Sequence, residues 1–495
     1  MPLADDIPHM SAVEMARLIR ERALSPVELM DAVIARIEAR NPSLNAMVYF
    51  GFDEARERAR AAETDVMAGK ALGPLHGVPT AMKDCVDFKP GWPSTFGGIR
   101  CLADAIADSR CTFVSRMEAA GAIIVGKTNS PQLGFRGTCD NLLFGPTSTP
   151  FKVGHNSGGS SGGSGAMVGD GMLPFAEGTD GGGSIRIPAA WCGAFGYKAS
   201  FGRVASMAGP NALSSISPFV YEGIIARRVA DAALATDSLC GYDPRDPFSL
   251  DETVDFSAVL ENGIRGWKIG YSRDLGIFPV DPAVLEVVDA AVKAFEDAGA
   301  VVEEVDPGFG IGQAELCDVW CRFSALNALG AFEAFKEMGY DILKDHPDDV
   351  PPEVHEWVRI ARTLTPLDKH RDQIVQTRIF LAFQRMLADY RLLVTPTLAA
   401  MQVKNADDGN TLGPAAINGE PVNRLIGWCM TYPVNFGPHP AASAPAGLSS
   451  QDKLPVGLQI IGRRYADNDV FAAAAAFERH RPWMDSYAIP EQRPL

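Results

Sequence analysis

Apolar residues recur at helical intervals from the start of the chain. Val13, Ala16, Leu18 and Ile19 form one stripe, and Ser11 with Glu14 puts a capping-box spacing in front of it. Ser25, with Pro26 at the first helical position and Glu28 at the third, opens a second stripe of Leu29, Val33 and Ile37. Two helices are predicted, packed as an antiparallel pair. Beyond them, short apolar runs alternate with longer helical ones. "GVPTAMKD" reads as a strand ending at Lys83, and "CTFVSRMEAAGAIIVGKTN" as a helix running into a buried strand. "KIGYSRD", "AVKAFEDAGAVVEEVD", "RLLVTPT" and "PVGLQIIG" carry the alternation into the last quarter. This pattern predicts an α/β layered fold with a mixed sheet. From about residue 310 to 421 the pattern is helical instead, and holds Trp320, Phe323, Phe332, Phe335 and Trp357. Strand signals recur on both sides of the most glycine-rich tract, so one large domain with a helical subregion is expected.

That tract, "HNSGGSSGGSGAMVGDGMLPFAEGTDGGGSIRIP" over residues 155–188, has the composition of a flexible linker. A linker should be monotonously polar, and this one is not. Met167, Val168, Met172, Leu173 and Phe175 between its two Gly/Ser clusters can pack in a core. A helix beginning near Gly162 and a short strand around Leu173 to Ala176 would bring the clusters together. The second cluster then forms a tight turn whose backbone N–H groups point one way, as an oxyanion hole requires.

The bulk numbers narrow the class. The chain has 495 residues, 46% hydrophobic and 21% charged, the balance of an ordinary globular protein. A formal net charge of −16 argues against holding nucleic acid or an anionic membrane through a general basic surface. Nine cysteines lack a spacing framework, although Cys317 and Cys321 stand four apart, and they read as reduced, mostly buried thiols. "MPLADDIPHM" carries acids where a secretory leader needs basic residues, and the alanine-rich run from Val470 to Phe477 is too short to span a bilayer. The expectation is a cytoplasmic protein, monomer or homodimer, with no nucleic-acid or membrane partner.

Two motifs mislead. Gly121-Ala-Ile-Ile-Val-Gly126-Lys127-Thr128 has the letters of a phosphate-binding P-loop, but the predicted strand occupies its loop positions and Pro131 interrupts any helix that should follow. Gly159-Ser160-Ser161-Gly162-Gly163 fits the nucleophile elbow of α/β-hydrolases, yet the polar His155-Asn156-Ser157 replaces the buried strand that the elbow needs. A serine nucleophile also needs a base. None of His346, His355, His370, His439 or His480 is singled out by its setting. A lysine desolvated enough to be neutral can substitute, although Lys83 taken alone reads as a solvated lysine at a strand end.

The residues as a set resemble the amidase signature family. Its G-G-S-S-G-G-S hallmark stands at Gly158 to Ser164, and its G-T-D-x-G-G-S-I-R-x-P at Gly178 to Pro188. "GPLHGVPTAMKD", "GAIIVGKTN", "FGPTSTPF", "GYKASFGRV", "CGYDPRDP", "NFGPHPAASAPAG" and "LPVGLQIIG" also look like the family, so the resemblance spans most of the chain. It implies an amidase fold with a large mixed central sheet covered by helices on both faces. It implies a signature core over residues 65–210, a helical substrate-covering subregion over 310–425, and a return to the core over 430–495. It implies a Ser–cis-Ser–Lys triad: Ser184 as nucleophile, Ser160 as bridge behind a cis peptide, and Lys83 as base. Backbone N–H groups of Gly181, Gly182, Gly183 and Ser184 would hold the oxyanion. No cofactor or metal is implied.

Around the triad, Ser161 either donates within the site or caps a helix, and Asp180 and Arg186 brace the turn through an ion pair. Asp84, Asn129 and Lys198 read as structural or supporting residues. Gly181, Tyr197 and Ala199 depart from the usual family residues, which bears on pocket shape and not on the reaction. Family members include aryl acylamidases, aliphatic and fatty amide hydrolases, urethane-cleaving enzymes, a nylon-oligomer cyclic dimer hydrolase and the glutaminase component of the tRNA-dependent amidotransferase. The aromatic helical region favours a small hydrophobic or aryl amide as substrate, with carbamates and esters as extensions and Phe144, Cys317, Trp320 and Phe323 lining the pocket. A component of a glutamine-dependent tRNA amidotransferase and a catalytically inactive scaffold are the alternatives.

Overall fold

Two serine caps set the first helices. In the computed structural model, which describes residues 9–206 and 211–492, Ser11 accepts from the Glu14 N–H to start α1 (Ala12–Arg20), and Ser25 accepts from Val27 and Glu28 to start α2 (Pro26–Leu44). The acidic N-terminal stretch before His9, and residues 207–210 at the end of the expected signature core, lie outside the described residues. The antiparallel pairing of these helices is not what forms. α1 packs instead on the later helix Val229–Leu239, whose Asp231 accepts the Val13 N–H at 3.1 Å. After β1 (Met47–Phe50), α2 packs on α3 (Phe52–Met67).

β2 (Pro79–Lys83), α4 (Thr112–Ala119) and β3 (Ile123–Thr128) follow, and β1-β3-β2 form a small sheet with β3 parallel to β2. Six of the eight residues with P-loop spacing are thus strand β3, all six of them buried. α5 (Gly162–Gly169) starts where expected, but β4 (Phe175–Asp180) runs further than predicted, directly into the second serine cluster. α6 (Arg186–Cys192), β5 (Phe195–Lys198), β6 (Tyr221–Ala226), α7 (Val229–Leu239), β7 (Lys268–Tyr271), α8 (Pro282–Asp297) and β8 (Val301–Glu304) continue the alternation.

The aromatic region folds as α9 (Gln313–Glu337), α10 (Ile342–Asp345), α11 (Pro352–Ala361) and α12 (Pro366–Asp389). Helix ends there, well short of residue 425, because the apolar run of β9 (Leu392–Pro396) is fully buried between β7 and β13. A short hairpin of β10 (Ala416–Ile417) and β11 (Glu420–Pro421) follows, then β12 (Ala441–Leu448), β13 (Pro455–Gly462) and α13 (Asp467–His480). The main sheet has eight strands in the order β4-β6-β5-β12-β13-β9-β7-β8, with parallel and antiparallel neighbours. It is the large mixed sheet expected, flanked by α5 and α6 as one group and by α7, α8 and α13 as another. No helix among the described residues is long and apolar enough to cross a membrane.

The tyrosine at position 197 has a structural reason. Its hydroxyl donates to Asp467 at 2.6 Å, and the same buried carboxylate accepts from Ser200 N–H and Oγ and from Arg203 Nε at 2.7 Å. This one side chain ties the C-terminal helix to the end of β5. Removing it leaves a buried guanidinium and three further donors without this acceptor. Asp467→Ala is expected to lower the unfolding free energy by about 3–5 kcal/mol, and Tyr197→Phe by about 1 kcal/mol, measured by urea titration of the two variants.

Candidate active site

β2 lies against β4, and this contact delivers the lysine to the serines. The main-chain N–H of Lys83 donates to Glu177 Oε2 at 2.6 Å, which pins the strand end. Its Nζ, fully buried, lies 2.7 Å from Ser160 Oγ and donates to Thr179 Oγ1 at 2.8 Å. The Gly159–Ser160 peptide is cis. Ser161 joins the two clusters: its N–H donates to the Ser184 carbonyl at 3.2 Å, and its Oγ accepts the Thr179 N–H at 3.2 Å and donates to the Thr179 carbonyl. It bonds across to the strand and does not cap α5 with its side chain. Ser184 itself is 8% exposed, and its Oγ makes no hydrogen bond among the described residues. The structure therefore brings Lys83 to Ser160 directly and Ser160 to Ser184 through the backbone of Ser161.

The turn from Asp180 to Arg186 is held by a buried ion pair, Arg186 Nη2 to Asp180 Oδ1 at 2.8 Å and Nε to Oδ2 at 2.9 Å. Asn435 donates to the same carboxylate and to the Asp180 carbonyl, and Arg186 reaches the Thr431 carbonyl and Gln459. Burial alone would raise the Asp180 pKa, but the Arg186 guanidinium outweighs it and holds the carboxyl down at about 2. One oxyanion donor is corrected here. The Gly183 N–H donates to Asp180 Oδ1 at 2.8 Å, so it is occupied in bracing the turn. The N–H groups of Gly181, Gly182 and Ser184 have no protein acceptor among the described residues.

Steric pressure explains two of the three glycines. A Cβ on Gly182 would stand 2.6 Å from the Trp320 ring, and one on Gly183, at φ +123°, would overlap Thr431 Oγ1. Gly181 meets only Val220, at 3.4 Å, and has room for a side chain.

The pattern of the family described as Amidase matches residues 28–471. A solved bacterial aryl acylamidase, assigned to the amidase signature enzymes, superposes with a TM-score of 0.96 at 46% identity, covering 98% of this chain and 99% of that one. An acylamidase of Rhodococcus erythropolis is 36% identical, covering 96% of each chain. The A-type component of the glutamyl-tRNA(Gln) amidotransferase of Moorella thermoacetica is 33% identical, over 95% of this chain and 96% of its own. The chain belongs to the amidase signature family. As an amidase it is a hydrolase of carboxamide C–N bonds.

Of the four pocket guesses in this amidase, Trp320 stands at the site. Its Nε1 donates to the Gly181 carbonyl at 3.0 Å and its ring covers Gly182. Phe323 and Cys317, on the same helix α9, are buried deeper, Phe323 against Phe436. Phe144 is elsewhere: it lines a cavity of about 180 Å³ with Tyr49, Asp84 and Lys127. Asp84 pairs with Lys127 at 2.7 Å, and Asn129 holds the Gly145 carbonyl and Thr147, which is bracing and not chemistry. Lys198 donates to the His439 carbonyl and lies 3.7 Å over the Tyr221 ring.

Two sets of residues escaped the sequence reading. Thr179 and Glu177 are two apart on β4, so both project from the face that meets Lys83, a signal present in the strand's period of two. Thr431 and Asn435 come from a distant loop and left no local signal.

Behind Lys83 lies a buried trio of carboxyls, Asp87, Glu177 and Glu222. Asp87 is in hydrogen-bonding contact with both glutamates, and three carboxyls sharing one buried place are met there by holding protons. Burial pushes all three up, and for Glu177 and Glu222, which rise well above the usual value of 4.5, the neighbouring acids add to the rise.

A carboxyl whose folded pKa is raised keeps its proton in the native state after the unfolded chain has lost it. Stability is then greatest below pH 4.5 as far as these groups decide it, and falls as pH rises through the folded values. Glu222→Gln should therefore flatten the fall in unfolding free energy as pH rises above about 4.5, by up to about 1.4 kcal/mol per pH unit, as read from urea titrations. The turn makes a sharper test. Gly183→Ala should lower kcat/KM by about 100-fold or more, whereas Gly181→Ala should leave it within about threefold of the parent, both measured on one anilide substrate.

Proposed function

We propose that Ser184 is the nucleophile of an acyl-enzyme amidase, with Ser160 as proton bridge and Lys83 as base. The observation that carries this reading is the fully buried Lys83 Nζ at 2.7 Å from Ser160 Oγ. Lys83, in its neutral form, takes the Ser160 proton while Ser160 takes that of Ser184, and Ser184 Oγ attacks the amide carbonyl. The oxyanion is held by the N–H groups of Gly181, Gly182 and Ser184. The proton returns through Ser160 to the amine, the C–N bond breaks, and water repeats the sequence in reverse to release the acid. Thr179 accepts a hydrogen bond from Nζ and keeps the amine aimed at Ser160.

The substrate we assign is a small amide with an apolar or aryl group. Trp320 covers the nucleophile turn, with Trp357 at 6.0 Å and Tyr432 at 6.4 Å behind it. The names borne by the aryl acylamidase and acylamidase relatives point the same way. Nine free thiols support a reducing, cytoplasmic setting. The amidotransferase relatives support a second reading, glutamine hydrolysis coupled to partner proteins.

Ser184→Ala should abolish labelling by a fluorophosphonate and turnover of anilides, and Lys83→Ala should lower kcat by about 10²–10⁴-fold. Retained labelling of Ser184→Ala would sink the assignment. On a panel of anilides, aliphatic amides and aryl carbamates, Trp320→Ala should lose most on the anilides. Glutamine turnover that appears only with added partner proteins, alongside inert anilides, would favour the second reading.

A further inference from the structure

A second constellation of chemistry lies away from the serines, where the turn Arg100–Leu102 meets the segment that follows α10. The Cys101 N–H donates to Asp349 Oδ2 at 2.8 Å, and its thiol also bonds to that carboxylate. His346 stands beside them, exposed, its ring without a hydrogen bond among the described residues. One donor atom each from Cys101, His346 and Asp349 lies within 4.8 Å of the other two. A thiol, an imidazole and a carboxylate from two segments, 248 positions apart from Cys101 to Asp349, converge on one point.

We propose that Cys101, His346 and Asp349 form a binding site for a borderline-soft divalent cation of the Zn²⁺ class, which clamps the helical cover to the loop behind the catalytic strand. Thiolate, imidazole and carboxylate are each zinc ligands, at about 2.0–2.3 Å, and three protein ligands leave a fourth position for water. Ligand atoms around such an ion stand about 3.5 Å apart, so the set must contract by about 1 Å. The exposed, unengaged His346 ring has the freedom to supply that movement. Two anionic ligands match the charge of the ion, and the exposed Asp345 and Asp348 add to the local negative field.

Without a cation, the Cys101 thiol donates a hydrogen bond to Asp349. Binding expels its proton to solvent, one proton per ion, as thiolate coordination requires. The mechanical consequence follows from what each half touches. The turn of Cys101 continues from Thr95, which bonds to Asp84 next to Lys83, and from Phe96, whose ring meets Phe335 of α9 at 4.7 Å. α10 packs on the same α9, the helix that carries Trp320. An ion at this point ties the cover to the loop that leaves β2.

The test uses the full chain, freed of metal with a chelator and titrated with Zn²⁺ against a chromophoric competitor. One equivalent should bind, with release of about one proton at neutral pH. Co²⁺ in its place should give a thiolate-to-metal charge-transfer band in the near ultraviolet. Cys101→Ser should remove that band, and His346→Ala, at an exposed position that the fold tolerates, should weaken Zn²⁺ binding by about 10-fold or more. Zn²⁺ should raise the melting temperature of the parent by clearly more than that of His346→Ala at the same concentration. Absence of a stoichiometric equivalent, or binding and melting shifts that persist in both variants, would overturn the site.

Discussion

The buried pair of Asp180 and Arg186 is the constraint on which the rest of the site rests. Two ions removed from water cost more in desolvation than their attraction returns unless every remaining donor and acceptor is met. Here they are met. Asp180 accepts from Arg186, from the Gly183 N–H and from Asn435, and Arg186 also reaches Thr431 and Gln459. These partners come from β4, the turn, α6, the loop after β11 and β13. The pair therefore fastens the nucleophile turn to the central sheet at several points, and the conformation of Ser184 follows from a network that spans the domain.

A second alignment depends on it. β4 ends at Asp180, and its preceding residues Thr179 and Glu177 face β2, where Lys83 is held by its main chain and by its Nζ. The strand that carries the turn thus also fixes the base. Trp320 closes the arrangement from the cover by bonding the Gly181 carbonyl and filling the space that a side chain on Gly182 would need. Glycine at 182 and 183 is demanded by neighbours, at 181 it is not, and this separates the part of the turn that is under constraint from the part that can vary.

The buried trio of Asp87, Glu177 and Glu222 places protonated carboxyls against the back of a lysine. Glu177 both belongs to this trio and receives the Lys83 N–H, so the protonation of the trio and the placement of the base share a residue. The cavity lined by Phe144 holds the Asp84–Lys127 pair in its wall, and no residue of the serine turn lines it.

Much of this was legible in the chain alone, for reasons of range. The caps at Ser11 and Ser25, the strand at Lys83, the helix at Gly162 and the pairing of Asp180 with Arg186 are all set by residues within a few positions of one another. The two glycine-serine clusters are legible for the same reason, since one helix and one strand join them. What the chain could not show depends on distant residues meeting. The partner of α1 is a helix two hundred residues on, whose Asp231 accepts the Val13 N–H. Thr431, Asn435 and Trp320 reach the turn from segments far along the sequence, and hydrogen bonds between such residues leave no periodic trace. Local geometry and the residue types at the clusters were determined by sequence. Which amides stay free, which side chains wall the turn and which carboxyls keep their protons were decided by tertiary packing, because each depends on burial that no single segment can create.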